Sequence, residues 1–156
     1  MREIIFRGKR LDNGEWVYGS LFVGFKKSYI CPEAIAMYYF DGALCLGGFI
    51  EVDPSTVGQY TGLKDNNGKE IFEGDIIKAD NGNCSSISVV KFGRYYPKMF
   101  YAMLDMYCPG TRHLNANGFY LESNKHEDMI LFKSRYLVVI GNVHDNAELL
   151  KEEAQT

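Results

Sequence analysis

The chain has 156 residues, 46% of them hydrophobic and 24% charged, with a formal net charge of −3. That length suits one domain with a sizeable core, that balance excludes a disordered polymer, and the acidic sum argues against a surface given wholly to a nucleic-acid backbone. No apolar run approaches the ~20 residues of a membrane-spanning helix, and charge interrupts the opening MREIIFRGKR, so neither a signal peptide nor an anchor is expected.

Ten Phe, eleven Tyr and sixteen Gly against four Pro favour pleated, half-buried surfaces joined by tight turns. The expected fold class is therefore mainly β (a β-rich α+β fold), with antiparallel hairpins, a small barrel-like sheet and a short C-terminal helix, in a single domain over residues 1–156. At the N-terminus, Ile4-Ile5-Phe6 leads through Asp12-Asn13-Gly14 to Trp16-Val17-Tyr18, and Asn-Gly supplies the positive φ angles that hairpin turns require. Residues Leu21 to Phe25 and Tyr29-Ile30 read as extended. Pro32 to Met37 suits the first turn of a short helix, whereas Tyr38-Tyr39-Phe40 before Asp41-Gly42 suits a strand entering a turn. Asp53-Pro54-Ser55-Thr56 predicts a turn or one helical turn, and Asp65-Asn66-Asn67-Gly68 a turn before Ile71-Phe72 and the strand Ile76-Ile77-Lys78. Asp80-Asn81-Gly82-Asn83 then links that strand to Ile87 to Phe92. Residues Pro97 to Tyr107 fit helix and strand spacing equally. Gly118 to Leu121 reads as a strand, and Leu131-Phe132 with Tyr136 to Ile140 as another, buried by its continuous apolar character. Asp145 with Glu148 three residues on predicts a capped helix through Leu149-Leu150-Lys151.

The four cysteines, Cys31, Cys45, Cys84 and Cys108, are widely spaced and are expected to be reduced. No Cys-x-x-Cys pair or His pair marks a metal site; Cys108 with His113 comes nearest, as an ordinary loop thiol and imidazole. No metal or cofactor is expected. The histidines His113, His126 and His144 announce no nucleophile, and the glycines form no phosphate loop. The two carboxylates of Glu73-Gly74-Asp75 could act as acid and base or share a cation, or join a distant histidine in an enzyme site, but a bend with solvated or hydrogen-bonded acids explains them more simply. The chain is thus expected to be non-enzymatic.

Charge is unevenly spread. Residues 1–30 carry six Lys/Arg against three acids, whereas from Gly141 onward four acids face one Lys. In the N-terminal hairpin, Arg7, Lys9, Arg10, Trp16 and Tyr18 interleave cations with aromatics, a pattern able to hold phosphate and stack on unpaired bases. A basic hairpin on a plain surface is the simpler alternative.

Three stretches carry a resemblance: FRGKRLDNGEWVYGSL at 6–21, VGQYTGLKDNNGKEIFEGDIIK at 57–78 and VIGNVHDNAELL at 139–150. Together they resemble the YopX family of phage and prophage proteins, through Tyr60, Thr61, Gly62, Leu63, Asp65, Gly68, Glu73, Gly74, Asp75, Gly141 and Asn142. The resemblance implies a β-rich fold, a bacterial cytoplasmic setting and an accessory role with no catalytic residues to transfer. Most of the signature residues are turn formers, as a structural signature would be. The leading expectation is a binding or assembly protein, self-associating as a homo-oligomer through aromatic strands. The second is a nucleic-acid-binding protein using the basic hairpin, and a host or phage protein is a further possible partner; no membrane partner is expected.

Overall fold

The computed structural model describes residues 4–32, 36–41, 43–80, 85–95, 116–122, 129–130 and 136–152. The chain forms two compact units, Met1–Gly62 and Leu63–Thr156, each organised around its own antiparallel ladder and apolar cluster.

In the first unit, β1 (Phe6–Lys9) and β2 (Trp16–Gly24) form the hairpin announced by Asn13-Gly14. Gly14 adopts φ 73°, and its N–H donates to the Arg10 carbonyl at 3.0 Å. Strand β2 turns directly into β3 (Lys27–Cys31), which pairs with β6 (Ile50–Val52), while β7 (Gly58–Lys64) lies on the other side of β1. The resulting order is β6-β3-β2-β1-β7. One 3-10 turn at Pro54–Thr56 precedes β7, capped by Asp53, whose Oδ1 accepts from the Ser55 N–H at 2.9 Å. A separate hairpin pairs β4 (Ala36–Phe40) with β5 (Ala43–Gly47), and Asp41 follows β4 at φ 49°. Residues 36–40 are therefore extended, as their β-branched-poor but aromatic run and the Asp-Gly turn favour, and the helical alternative fails over Ala36 and Met37.

The first-unit core is Val17, Ile30 and Val52, with Phe6, Leu21, Ile50 and Val57 packed against it. Burying each large aliphatic side chain contributes roughly 1.5–3 kcal/mol. Around this core the ladder curls. Arg10 bridges Val52, the Asp53 N–H donates to the Lys9 carbonyl at 2.8 Å, and the Leu11 N–H donates to the Glu51 carbonyl at 3.2 Å. Gly8 permits this approach, since a Cβ there would lie 2.9 Å from Val52 Cγ2. The expected barrel-like character extends only to this curl; among the described residues the sheets remain open.

Strand β7 carries the chain into the second unit, where it turns through Asp65–Gly68 and returns as β8 (Glu70–Phe72). The main sheet there has the order β12-β11-β10-β9-β13, from β9 (Asp75–Asp80), β10 (Ser85–Tyr95), β11 (Ala116–Glu122), β12 (Met129–Ile130) and β13 (Tyr136–Asn142). Strands β9 and β10 pair from Asp80 and Ser85 inward, as a turn at 80–83 predicts. Ile71, Ile77, Ala79, Val90, Phe119, Leu121, Leu137 and Val139 form its core.

Two readings of the C-terminal third change. Strand β13 is not buried on both faces: Leu137 and Val139 enter the core while Tyr136 is exposed, because successive side chains alternate in face and the core covers only the side of Leu137 and Val139. Helix α1 spans only Leu149–Glu152, four residues beyond Asp145. The intervening loop is shaped by Asn142, whose Oδ1 accepts from the His144 N–H at 2.9 Å and the Asp145 N–H at 3.0 Å. The Asp145 carboxylate instead accepts from Asn142 Nδ2 at 2.8 Å. Residues 81–84, 97–107 and 131–132 lie outside the described residues.

Candidate functional site

The β1–β2 register places Arg7 opposite Tyr18 and Lys9 opposite Trp16, so these four side chains project from one face. The Arg7 guanidinium lies 4.6 Å from the Trp16 ring centroid and Lys9 Nζ lies 5.6 Å from it, within the range of cation–π attraction. Arg7 is only 5% exposed. Its charge is held inside the unit rather than offered to solvent. Arg10 separates from this group and forks onto Asp12, with Nε to Oδ1 at 2.9 Å and Nη2 to Oδ2 at 2.6 Å. That fork raises the Arg10 pKa and lowers that of Asp12. Of the five basic-hairpin residues, the structure thus brings together Arg7, Lys9, Trp16 and Tyr18, buries the first, and neutralises Arg10 locally.

The signature residues build turns. Asp65 is buried, with Oδ1 accepting from Asn67 N–H at 2.8 Å and Lys69 N–H at 2.9 Å, and Oδ2 accepting from Val139 N–H at 3.0 Å. Burial pushes its carboxyl up, but the N–H groups of Val139, Lys69 and Asn67 outweigh that and hold it below the ordinary range. Asn66 adds two bonds to Leu137, from Leu137 N–H to Oδ1 at 2.7 Å and from its own N–H to the Leu137 carbonyl at 2.9 Å. Tyr60 and Thr61 are buried, Leu63 packs on the second core, and Gly62, Gly68 and Gly74 adopt φ of 84°, 81° and 81°. Asp75 is 1% exposed and accepts from the Phe72 N–H at 2.8 Å. The Gly74 carbonyl accepts from Val143 N–H at 2.9 Å, which brings the His144 loop beside Glu73. Asp75 nevertheless faces protein rather than solvent. Gly141 lies beneath Asn146, whose Oδ1 would be 2.6 Å from a Cβ there. No three His, Cys, Asp or Glu side chains gather as metal ligands among the described residues; Cys108 and His113 lie outside them.

The most exposed apolar feature had no motif to announce it. Strands β2 and β3 are joined by Phe25-Lys26, both at positive φ, 51° and 63°. Such a two-residue turn matches strand twist but normally uses Asn, Asp or Gly. Phe25 is 98% exposed, Val23 66% and Phe22 51%. Phe22 stands opposite Tyr29, which stands opposite Glu51. Phe49 joins this row, with its ring centroid 5.5 Å from that of Phe22 and 6.4 Å from that of Tyr29. Lys27 Nζ bonds Glu51 Oε2 at 2.9 Å beside it. A groove of about 410 Å³ begins at Phe49 and is lined by Arg10, Leu11, Asp12, Phe49, Ile50 and Glu51. Aromatic content pointed toward strands of this kind, but a turn made by Phe-Lys is invisible to rules built on Gly and Asn.

The hairpin thus ends in apolar and aromatic surface with the Lys27–Glu51 ion pair beside it. Comparison with known proteins agrees with the fold. The family model described as YopX protein matches residues 5–151. The crystal structure of protein EF1440 from Enterococcus faecalis is similar, with a TM-score of 0.56, 21% sequence identity, and coverage of 96% of this chain and 99% of that one. No curated protein matches the chain. No helix among the described residues is long and apolar enough to cross a membrane.

Proposed function

The chain belongs to the YopX family, and from that premise we propose that it is a non-enzymatic phage or prophage accessory protein that acts by binding, assembling with copies of itself through the β2–β3 hairpin of its first unit. The observation that carries this reading is the exposed apolar end of this hairpin: Phe25 at its tip, Val23 on one face and, on the other, Phe22 in ring contact with Tyr29 and Phe49. Scattered apolar residues need no explanation on a soluble surface, but a contiguous aromatic patch rimmed by charge has the composition of a recognition surface. Light scattering tests it. A molar mass of a small multiple of the 17.7 kDa chain, reduced by Phe22→Ser, is the expected result; a monomer at every concentration up to millimolar overturns it.

A second reading, binding of single-stranded nucleic acid, is favoured by Lys9, Trp16 and Tyr18 on one hairpin face. It is the weaker one, because the other two cations are committed within the chain. It predicts an absorbance ratio at 260 to 280 nm that is raised in protein purified without nuclease and falls with salt.

A further inference from the structure

We infer that the Asp65-Asn66 turn guards the free edge of β13 against strand addition, and that the occupant it keeps out is β13 of a second copy. Strand β13 pairs with β9 on one side and stands at the end of its sheet on the other. Its run Tyr136-Leu137-Val138-Val139-Ile140 holds no charge and no proline. An uncharged, β-favouring window on a sheet edge is a template for edge-to-edge pairing, which edges ordinarily deter with lysine, proline or a bulge. The bulge in this strand falls between Val139 and Gly141, past most of that run. An edge open in one copy is open in every copy, and antiparallel pairing of two β13 strands about a two-fold axis is self-complementary.

Side chains of another segment supply the protection. Leu137 N–H donates to Asn66 Oδ1 at 2.7 Å, the Leu137 carbonyl accepts from Asn66 N–H at 2.9 Å, and Val139 N–H donates to Asp65 Oδ2 at 3.0 Å. Asn66 thus offers Leu137 one acceptor and one donor, as a residue of an incoming antiparallel strand would. Farther along, Asn142 N–H faces Asn146 Oδ1 at 3.4 Å. The turn that presents Asn66 is closed by Gly68 N–H on the Asp65 carbonyl at 3.0 Å, so it occupies the edge without continuing as a strand that could itself be extended. Asn66 is exposed, and its two bonds to Leu137 serve the edge rather than the core. This contact is separate from the β2–β3 surface of the assembly reading and is tested independently of it.

The test is Asn66→Pro. Proline suits the first central position of such a turn, because it fixes the φ that the position requires, and it removes both the donor and the acceptor that Asn66 gives Leu137. The substitution is made in a Phe22→Ser chain, which takes association through the β2–β3 hairpin out of both members of the comparison. Hydrogen exchange at Leu137 is expected to quicken by about tenfold, the loss of one hydrogen bond, while Val138, paired with Lys78 of β9, stays protected. Light scattering should show this chain associating at concentrations where its Phe22→Ser parent does not. Adding Tyr136→Lys, at an exposed position of the same strand, should reverse the association, since edge lysines deter pairing. Should proline unfold the turn, Asn66→Ala, which removes Oδ1 alone, carries the same comparison. If Leu137 exchanges faster while the chain associates no more than its parent, the open edge recruits nothing and the inference fails. Unchanged protection of Leu137 overturns it too, because Asn66 then guards nothing. Association that Tyr136→Lys leaves intact places the contact elsewhere and overturns the choice of β13. The assembly reading is decided separately, by Phe22→Ser in the otherwise natural chain.

Discussion

Asp65 and Val139 are 74 residues apart in sequence and joined by a 3.0 Å hydrogen bond from the Val139 N–H to the Asp65 carboxylate. The same carboxylate receives two N–H groups of its own turn, so one side chain both closes the turn after β7 and ties it to β13. Removing an ionised acceptor leaves buried donors unsatisfied, and each such loss costs about 1–3 kcal/mol. Asp65→Ala is expected to destabilise the second unit by about 3 kcal/mol, read as a lowered urea midpoint in far-UV circular dichroism. A change below about 0.5 kcal/mol would show that the Val139 and turn bonds contribute little.

The pH dependence of that contribution has a definite sign. The Asp65 carboxyl titrates below its ordinary value of 3.8 in the folded chain, so the unfolded state binds the proton more readily. Its stabilisation is fully present above 3.8 and is lost as pH falls through the lower folded value. The stability difference between the natural chain and Asp65→Asn is therefore expected to be constant from pH 7 to about 5 and to narrow below pH 4. Urea titrations at pH 7, 5, 4 and 3 measure it, and a gap that widens toward acid contradicts the assignment.

Two glycines test how the first unit is built. Gly19 has φ 156°, and any Cβ there would run into the carbonyl of Cys31 on the neighbouring strand. Gly14 has φ 73° with nothing within 4 Å. Gly19→Ala should destabilise by more than about 4 kcal/mol, since backbone must move, while Gly14→Ala should cost about 1–2 kcal/mol for the left-handed conformation alone. Trp16 is the sole tryptophan and sits in β2, so its fluorescence follows unfolding of this unit for both variants.

The basic hairpin separates into two kinds of arginine. Arg7 is buried against Trp16, whereas Arg10 is a partly exposed partner of Asp12. Arg7→Ala is expected to cost about 2–4 kcal/mol through lost packing and cation–π attraction, and Arg10→Ala to leave the unfolding midpoint unchanged, as an exposed ion pair implies. If the hairpin binds nucleic acid, Lys9→Ala reduces the slope of log affinity against log salt by about one. If it is structural, only Arg7→Ala has a measurable effect, and on stability.

What could be read from the sequence follows from how local each feature is. The hairpin at Asp12-Asn13-Gly14, the capped turn at Asp53 and the turn at Asp65 to Gly68 each depend on a few adjacent side chains whose geometry is fixed by their own chemistry, and all three form as expected. The sequence grouped Arg7, Lys9, Arg10, Trp16 and Tyr18 as interleaved cations and aromatics, and it is the β1–β2 register that sets Arg7, Lys9, Trp16 and Tyr18 on one face. Burial of Arg7 and the pairing of Arg10 with Asp12 depend on what packs over the hairpin, which no local pattern encodes. The exposure of Tyr136 depends on which face of β13 the core covers, and that is a property of the tertiary packing. Phe25 was missed for the opposite reason: local rules forbid that turn there, and tertiary pairing of β2 with β3 overrides them.

That override has a measurable consequence for stability. Each non-glycine residue in the left-handed region carries roughly 1–2 kcal/mol of steric penalty, and Phe25 and Lys26 are both there. Replacing them with Asn and Gly, the residues such a turn prefers, should relieve part of that penalty without touching the core formed by Val17, Ile30 and Val52. The double variant is expected to gain about 1–2 kcal/mol in the first unit, read as a higher urea midpoint in Trp16 fluorescence, while losing self-association in light scattering. Measured at protein concentrations where the natural chain is dissociated, the gain separates turn strain from assembly. A variant that is less stable there would mean that Phe25 packs within its own chain, and the case for an outward-facing aromatic tip would fall with it.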